Sequence, residues 1–300
     1  MKIMITGASG FVGQNLLAHL LDKGMSVDII DRKMLLANVI NIPSEVTTVI
    51  HLAGKAHDLR QSSDVNDYYD INFGLTKNLY QAFLLSEASK FIFVSSVKAA
   101  ADIVTGELTE NVMPKPGTDY GKSKLLAEQF LQNQVLPSGK SYYILRPCMI
   151  HGPGNKGNLN LLFRVVRWGL PYPLASFKNK RSFLSIANFN MIVQSIVDKQ
   201  LESGIYNLAD DQSLSTNEVI EIIAKVLGFK ARLWELNVKL VYAIAKIGDW
   251  LSLPLNSERL TKLTENFVVS NNKIKEALGL KNLPTSSKQG LIDTLKSFKK

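Results

Sequence analysis

Tyr120-Gly121-Lys122-Ser123-Lys124 sets a phenol and an ammonium four residues apart. At helical spacing the two lie on one face, while Lys122 points elsewhere, toward solvent. An ammonium beside a phenol favours the phenolate, so the pair predicts a tyrosine of lowered pKa. Such a phenol exchanges a proton with a substrate hydroxyl near neutral pH. Tyr-x-x-x-Lys alone is a common accident of sequence. Phe91-Ile92-Phe93-Val94-Ser95-Ser96 adds a third group: an apolar strand ending in two serines, at the carboxyl edge where doubly wound sheets bind ligands. A serine there can hydrogen-bond a reacting oxygen and orient the tyrosine; the plain alternative is a turn former.

Thr6-Gly7-Ala8-Ser9-Gly10-Phe11-Val12-Gly13 follows an apolar strand and opens a helical segment. Gly7 suits a tight turn, Gly10 lets backbone approach a pyrophosphate, and Gly13 lets the helix pack closely. The helix start offers free N–H groups to phosphate. Asp31 stands 18 residues after Gly13, at the end of the second strand, where a carboxylate meets the adenosine ribose hydroxyls. That favours NAD, because a 2′-phosphate would meet a like charge. Arg32 beside it suits NADP, which stays the alternative, and a plain turn residue is the other reading of Asp31.

These groups need a frame. Residues 2–6, 27–31, 48–52, 91–95 and 142–145 read as strands; 11–23, 68–88 and 120–133 have helical period. Strand–helix alternation predicts an α/β fold, a Rossmann-type doubly wound parallel sheet with right-handed crossovers. After Arg146 the pattern loosens. Gly152-Pro153-Gly154-Asn155 is a turn cluster, and 158–168 and 215–227 read as helices, the second with Ser215 and Glu218 at capping-box spacing. The expected organisation is an NAD-binding domain over 1–150 plus about 183–208, which returns to the sheet. A smaller, mainly helical substrate lobe takes about 151–182 and 209–300.

Composition narrows the function. The 300 residues are 46% hydrophobic, enough for a large core, and carry a net charge of +9. The excess charge is either a solvated basic surface or a field that steers an anionic ligand such as a nucleotide diphosphate. Nucleic acid is not expected, because the basic residues are scattered and no aromatic-interleaved stripe exists. The single cysteine, Cys148, forms no disulfide framework or zinc site, so no metal is expected and a reducing cytoplasm is. The first residues are too short an apolar run for a signal peptide. The most apolar long stretch, 238–255, is interrupted by Lys239, Lys246 and Asp249 and is expected as a packed amphipathic helix, with a membrane-surface helix as the alternative.

Taken together, these stretches resemble the extended short-chain dehydrogenase/reductase family, in its NAD-dependent epimerase/dehydratase branch. The resemblance runs over 6–13, 49–54, 72–79, 93–96, 120–124, Leu145-Arg146-Pro147, His151-Gly152-Pro153-Gly154, Arg181-Ser182-Phe183 and 206–209. It implies Ser96, rather than Ser95, as the catalytic hydroxyl, Tyr120 as acid/base, and Lys124 on the nicotinamide ribose. It implies cofactor contacts at Gly7, Ser9, Gly10, Phe11, Val12, Gly13, Asp31, Arg32, Leu52, Ala53, Gly54, Asn72, Ser95 and Pro147, besides Tyr120 and Lys124. Substrate contacts are implied at Lys98, Asn158 and Arg181, with Arg181 on a diphosphate; a surface salt bridge is its plain alternative. Dehydratases of this branch carry an acidic pair where this chain has Val97 and Lys98, which argues against dehydration. His151 stands where many relatives have tyrosine, and Ala187 where many have aspartate. The stretch between Asp31 and Thr48 is short, and the strand-3 aspartate that touches adenine in relatives is not found in it. The implied activity is C4 epimerisation of a UDP-hexose or UDP-N-acetylhexosamine. The alternatives are reduction of a UDP-4-keto-6-deoxy sugar by NAD(P)H, and a non-catalytic dinucleotide sensor. The resemblance also implies a homodimer built on the helices over 72–88 and 120–133.

Overall fold

The computed structural model describes residues 1–37, 39–55, 65–155, 157–251 and 256–299. Residues 252–255, the end of the long apolar stretch, therefore lie outside the described residues. Six parallel strands form the main sheet: β1 (Lys2–Thr6), β2 (Ser26–Ile30), β3 (Val46–His51), β4 (Lys90–Val94), β5 (Ser141–Pro147) and β6 (Gly204–Leu208), in the order β2-β1-β3-β4-β5-β6. Successive residues of a strand face opposite sides. Ile3, Ile5, Ile50, Ile92, Tyr143 and Leu145 accordingly pack on one face with helices Phe11–Asp22 and Ile186–Asp198. Met4, Val49, Phe91, Phe93 and Ile144 pack on the other with helices Leu75–Leu85 and Asp119–Asn133. Both faces are covered, which is why these strands read as continuous apolar runs rather than alternating ones.

The chain leaves β2 through a four-residue helix, Arg32–Leu35, and crosses to the other side of β1. The doubly wound order 3-2-1-4-5-6 places a further strand outside the second. Here β2 is the edge, with Ile29 half exposed. The short stretch after Asp31 is the cause: it is too brief to send a strand out and back.

Two further pairings escaped the sequence reading. Met149–His151 pairs with Phe183–Ser185, and Glu107–Leu108 with Val268–Val269, each as a two-stranded parallel ladder. Of the 183–208 segment, therefore, Gly204–Leu208 joins the main sheet and Phe183–Ser185 does not. Helices Asn158–Arg167, Thr216–Leu227 and Ser287–Ser297 share a separate apolar core around Phe163, Ile220, Ile223 and Leu295. The capping box of Ser215 and Glu218 is formed: Ser215 accepts from Glu218 N, and Glu218 accepts from Ser215 N at 2.9 Å.

Candidate active site

All six strands run parallel, so Thr6, Asp31, His51, Ser95 and Pro147 collect at one edge. At the end of β4 the chain turns into a short 3-10 segment, Val97–Ala99, capped by Ser96, whose hydroxyl accepts from Lys98 N at 3.2 Å. The helix Asp119–Asn133 begins against this turn. A Cβ on Gly121 would lie 2.4 Å from the Lys98 carbonyl oxygen, so glycine between Tyr120 and Lys122 is what lets the two segments touch. Thr118 caps the helix by accepting from Gly121 N at 3.2 Å. Asp102 holds the approach, accepting from Gly117 N at 2.5 Å and Thr118 N at 3.1 Å. Nothing local in sequence marks Asp102 for this task, since its partners are 15 and 16 residues away.

Ser96 and Tyr120 are brought side by side where these two segments touch, and the Ser96 hydroxyl acts on the Tyr120 phenol. Lys124, one turn on, donates to the Val94 carbonyl at 3.0 Å and stands over the Phe93 ring. The three groups singled out in sequence are thus gathered at one place. Their electrostatics differ from the expectation. Burial pushes the Tyr120 phenol up, because a phenolate there would lose hydration; the Ser96 hydrogen bond opposes this, and Tyr68 adds a smaller upward push. The expected lowering of Tyr120 by Lys124 is absent from the balance. Burial acts on the ammonium too, and holds Lys124 down at about 8, with the Glu128 carboxylate pulling the other way.

The cofactor positions form a cradle. Gly7 adopts φ 72°, and a Cβ there would meet Ala53 N at 2.6 Å. Gly13 is packed against the Gly7 carbonyl, where a Cβ would come within 2.1 Å. Gly10 precedes helix Phe11–Asp22 without a side-chain cap, while Phe11 packs beneath Gly152 and Gly154. Ser9 is exposed on the loop and Val12 half-buried behind it. Leu52 and Ala53 follow β3; Gly54 is pressed so closely that a Cβ would meet Asn72 Oδ1 at 2.9 Å and Lys124 Nζ at 3.0 Å. Asn72 lies in a π-helical turn, Tyr69–Gly74, that interrupts the expected helix; it donates to Ser123 Oγ at 3.0 Å. Such turns recur at functional sites. Asp31 accepts from Met34 N at 2.9 Å as the cap of Arg32–Leu35, with Arg32 exposed beside it. Pro147 ends β5, buried. These residues fit a dinucleotide: close-packed glycines, an uncapped helix start, and a lysine and asparagine at the inner end.

Two positions act beneath the site rather than in it. Ser95 turns its hydroxyl inward to Glu128 Oε1 at 2.5 Å, and Arg146 donates to the same carboxylate through Nε at 3.0 and 3.1 Å. Ser95 therefore offers a cofactor only its backbone. His51, fully buried, bridges Thr6 Oγ1 at 2.7 Å and Thr76 Oγ1 at 2.9 Å, and desolvation with the Lys124 charge holds it down at about 3. Thr6 Oγ1 also accepts from Ala53 N, so one neutral histidine ties the glycine loop to the Ala53 segment.

On the substrate side, Lys98 donates to the Asp102 carbonyl at 3.0 Å and stands 4.5 Å from the Phe267 ring centroid. Arg181 exchanges backbone bonds with Leu214, bridges Phe267, and reaches Glu265 at 3.9 Å. Phe267, absent from the sequence reading, thus brings Lys98 and Arg181 together. The salt-bridge alternative for Arg181 is present, long and partly exposed. Asn158 is exposed at the start of its helix, and no contact joins it to this group. His151 is buried, with Nδ1 2.8 Å from Thr294 Oγ1 and Nε2 3.8 Å from Asp210. It pins the last helix to the sheet.

The profile of the NAD dependent epimerase/dehydratase family matches residues 3–209. The UDP-glucose 4-epimerase of Vibrio cholerae is 30% identical, over 99% of this chain and 95% of that protein. The N-acetyl-alpha-D-glucosaminyl-diphospho-ditrans,octacis-undecaprenol 4-epimerase of Escherichia coli O157:H7 is 27% identical, over 92% of this chain and 85% of that protein. Among solved structures, the UDP-N-acetylglucosamine 4-epimerase from Bacillus cereus aligns with a TM-score of 0.79 at 22% identity, covering 100% of both chains, which is a likeness of fold.

Proposed function

Because this chain belongs to the NAD-dependent epimerase/dehydratase family, we propose that it is a nucleotide-sugar epimerase acting at C4 of a UDP-hexose or UDP-N-acetylhexosamine through a transient 4-keto sugar. The observation that carries the proposal is the meeting of Ser96, Tyr120 and Lys124 at the sheet's carboxyl edge, with Gly121 seated against the Lys98 carbonyl and Lys124 packed against Gly54. Bound NAD supplies the hydride acceptor for oxidation at C4 and the donor for its return. Tyr120 takes the O4 proton and gives it back; Ser96 holds O4 in line with the phenol. Lys124, beside Gly54 and Asn72 at the inner end of the cradle, would hold the nicotinamide ribose. Asp31 takes the adenosine ribose, with Arg32 keeping NADP as the alternative. Arg181 faces the diphosphate, with Lys98 beside it. The positions where dehydratases carry an acidic pair hold Val97, which is buried, and Lys98, which is basic, and the nearby Asp102 is committed to the backbone of Gly117 and Thr118.

Purified protein given UDP-GlcNAc and NAD is expected to form UDP-GalNAc, followed by proton NMR, without net formation of NADH. Tyr120→Phe is expected to lower turnover by about 10²-fold or more. A near-normal Tyr120→Phe rate would contradict the roles assigned. Consumption of added NADH by a UDP-4-keto-6-deoxy sugar, with no epimer formed, would assign a reductase instead.

A second reading keeps the chemistry and changes the carrier. The Escherichia coli relative is named for a polyprenyl diphosphate sugar. What favours that reading here is the run of exposed apolar side chains on the C-terminal lobe, among them Leu240, Ile247 and Trp250. UDP and polyprenyl carriers present the same diphosphate to Arg181. Epimer formed from the lipid-linked sugar and not from UDP-GlcNAc would select this reading.

The organisation goes with the function: residues 1–150, joined by Gly204–Leu208, bind the cofactor, and the helical remainder binds the sugar. The setting is cytoplasmic, where nucleotide sugars are used, and the assembly is a homodimer through helices Leu75–Leu85 and Asp119–Asn133. No described helix is long and apolar enough to cross a membrane.

A further inference from the structure

The helix Val238–Leu251 has two apolar faces where a packed amphipathic helix needs one. Val241 and Ala245 are buried against Leu174 and Leu260. Leu240, Ile244, Ile247 and Trp250 recur three or four residues apart on the far side and are 52%, 41%, 53% and 84% exposed. At 100° per residue these four fall within one arc of about 120° turned away from Val241 and Ala245. Lys239 and Lys246, both exposed, run along one edge of that arc. Of the acids nearby, Asp249 accepts from Ser257 N and Oγ at the start of the next helix, and Glu235 is exposed beside Trp234, outnumbered by Lys239, Lys246 and Arg232.

The tryptophans give a second observation. The chain has three, and all are exposed: Trp168 at 70%, Trp234 at 55% and Trp250 at 84%. Tryptophan is ordinarily well buried in a globular protein. All three lie in the C-terminal lobe. Arg232 donates to the Gly169 carbonyl at 3.2 Å, and Trp234 N to Tyr172 O at 2.9 Å, so the Trp168–Leu170 turn sits beside the Arg232–Trp234 segment that leads into the helix. Arg164 and Arg167 are exposed on the helix before that turn.

We propose that this side of the C-terminal lobe docks on the surface of an anionic lipid bilayer, with the helix lying in the membrane plane. Indoles prefer the level of the headgroups, where the ring is buried and the N–H stays wet. Lysines flanking an apolar stripe extend their ammonium groups to lipid phosphates. A 14-residue helix is about 21 Å long and rests on a bilayer rather than crossing it. Charge separates the bilayer from a second copy of the chain. A two-fold contact sets a patch against itself, and here would oppose lysines and arginines to their own kind; an anionic surface neutralises them, and the net charge of +9 acts in the same sense. The docking rests on this lobe alone and holds whichever diphosphate sugar the enzyme takes.

The test is co-sedimentation of the full chain with vesicles of phosphatidylglycerol and phosphatidylcholine, against phosphatidylcholine alone, at low and high salt. The protein is expected to partition at least about tenfold more strongly onto the anionic vesicles, to be released by salt, and to shift its tryptophan emission to the blue on binding. Ile247→Asp and Trp250→Ser are expected to lower that partition by about tenfold each while leaving the melting temperature unchanged. Protein that stays in solution with anionic vesicles overturns the proposal, as does binding indifferent to both substitutions. Loss of a dimer in light scattering on Ile247→Asp, without vesicle binding by the parent, would assign the face to a second copy.

Discussion

Lys124 carries a cost to stability that its position makes necessary. Burial lowers it from 10.5 to about 8, so between those values the unfolded chain binds the extra proton and the folded protein does not. Stability rises with pH through that window, and the penalty is full below about 8. Lys124→Met is therefore expected to abolish turnover yet stabilise the fold at neutral pH by up to ~3 kcal/mol, a gain that fades between about pH 8 and 10.5 and is gone above it. Urea titrations at neutral and alkaline pH check this; a destabilised Lys124→Met protein at pH 7 would contradict it. His51 behaves in the acid range. Its value drops from 6.5 to about 3, so stability is complete above 6.5 and is lost as pH falls toward 3, by up to ~5 kcal/mol. His51→Asn should remove about one proton from the slope of unfolding free energy against pH over that range; an unchanged slope would show that the histidine titrates normally. Tyr120 and Lys124 were legible as a pair because four residues is a helical interval. The rise of the Tyr120 pKa was not, since burial is a property of the assembled site.

At the scale of elements, the site is an agreement between the turn after β4 and the start of helix Asp119–Asn133. Gly121 is where they touch. Gly121→Ala would drive a methyl into the Lys98 carbonyl at 2.4 Å and toward Pro116 Cβ at 2.9 Å, and backbone cannot yield as a side chain can. The expected result is a loss of ~1–3 kcal/mol in stability and a larger fall in kcat than in substrate affinity, because Ser96 and Tyr120 separate. Equal kcat for the two proteins would disprove the contact. The strands and long helices were readable from apolar period and from Gly and Ser caps. The π turn at Tyr69–Gly74 was not, because a single inserted residue leaves the helical pattern nearly intact. Asp102, Glu128 and Arg146 were missed for another reason: each acts on an element distant in sequence, and an isolated Asp, Glu or Arg gives no sign of its partner. The Phe183–Ser185 pairing with Met149–His151 was misplaced because a three-residue apolar strand fits any open edge.

Over the whole molecule, the sheet keeps the doubly wound plan with its outer strand removed, and β2 is left as an edge. The alternation of strand and helix announced the plan; the short stretch after Asp31 was noted for its absent aspartate, and the loss of the outer strand shows only in the sheet order. The placing of the lobe over the site rests on contacts such as Lys98 with Phe267 and His151 with Thr294, which no periodicity encodes. Helices Leu75–Leu85 and Asp119–Asn133 pack on each other and leave Leu85 and Leu126 exposed, so light scattering should report twice the 33.3 kDa of one chain; a single-chain mass would remove the dimer. Chemistry at C4 remains the claim on which the rest depends. It is tested most directly by giving the protein a UDP-hexose deuterated at C4 and following the product by NMR. The account predicts a C4 epimer that retains deuterium at C4, because the same hydride leaves and returns, with no NADH accumulating. Deuterium washed out into solvent, or substrate recovered unchanged with every UDP-hexose offered, would contradict it.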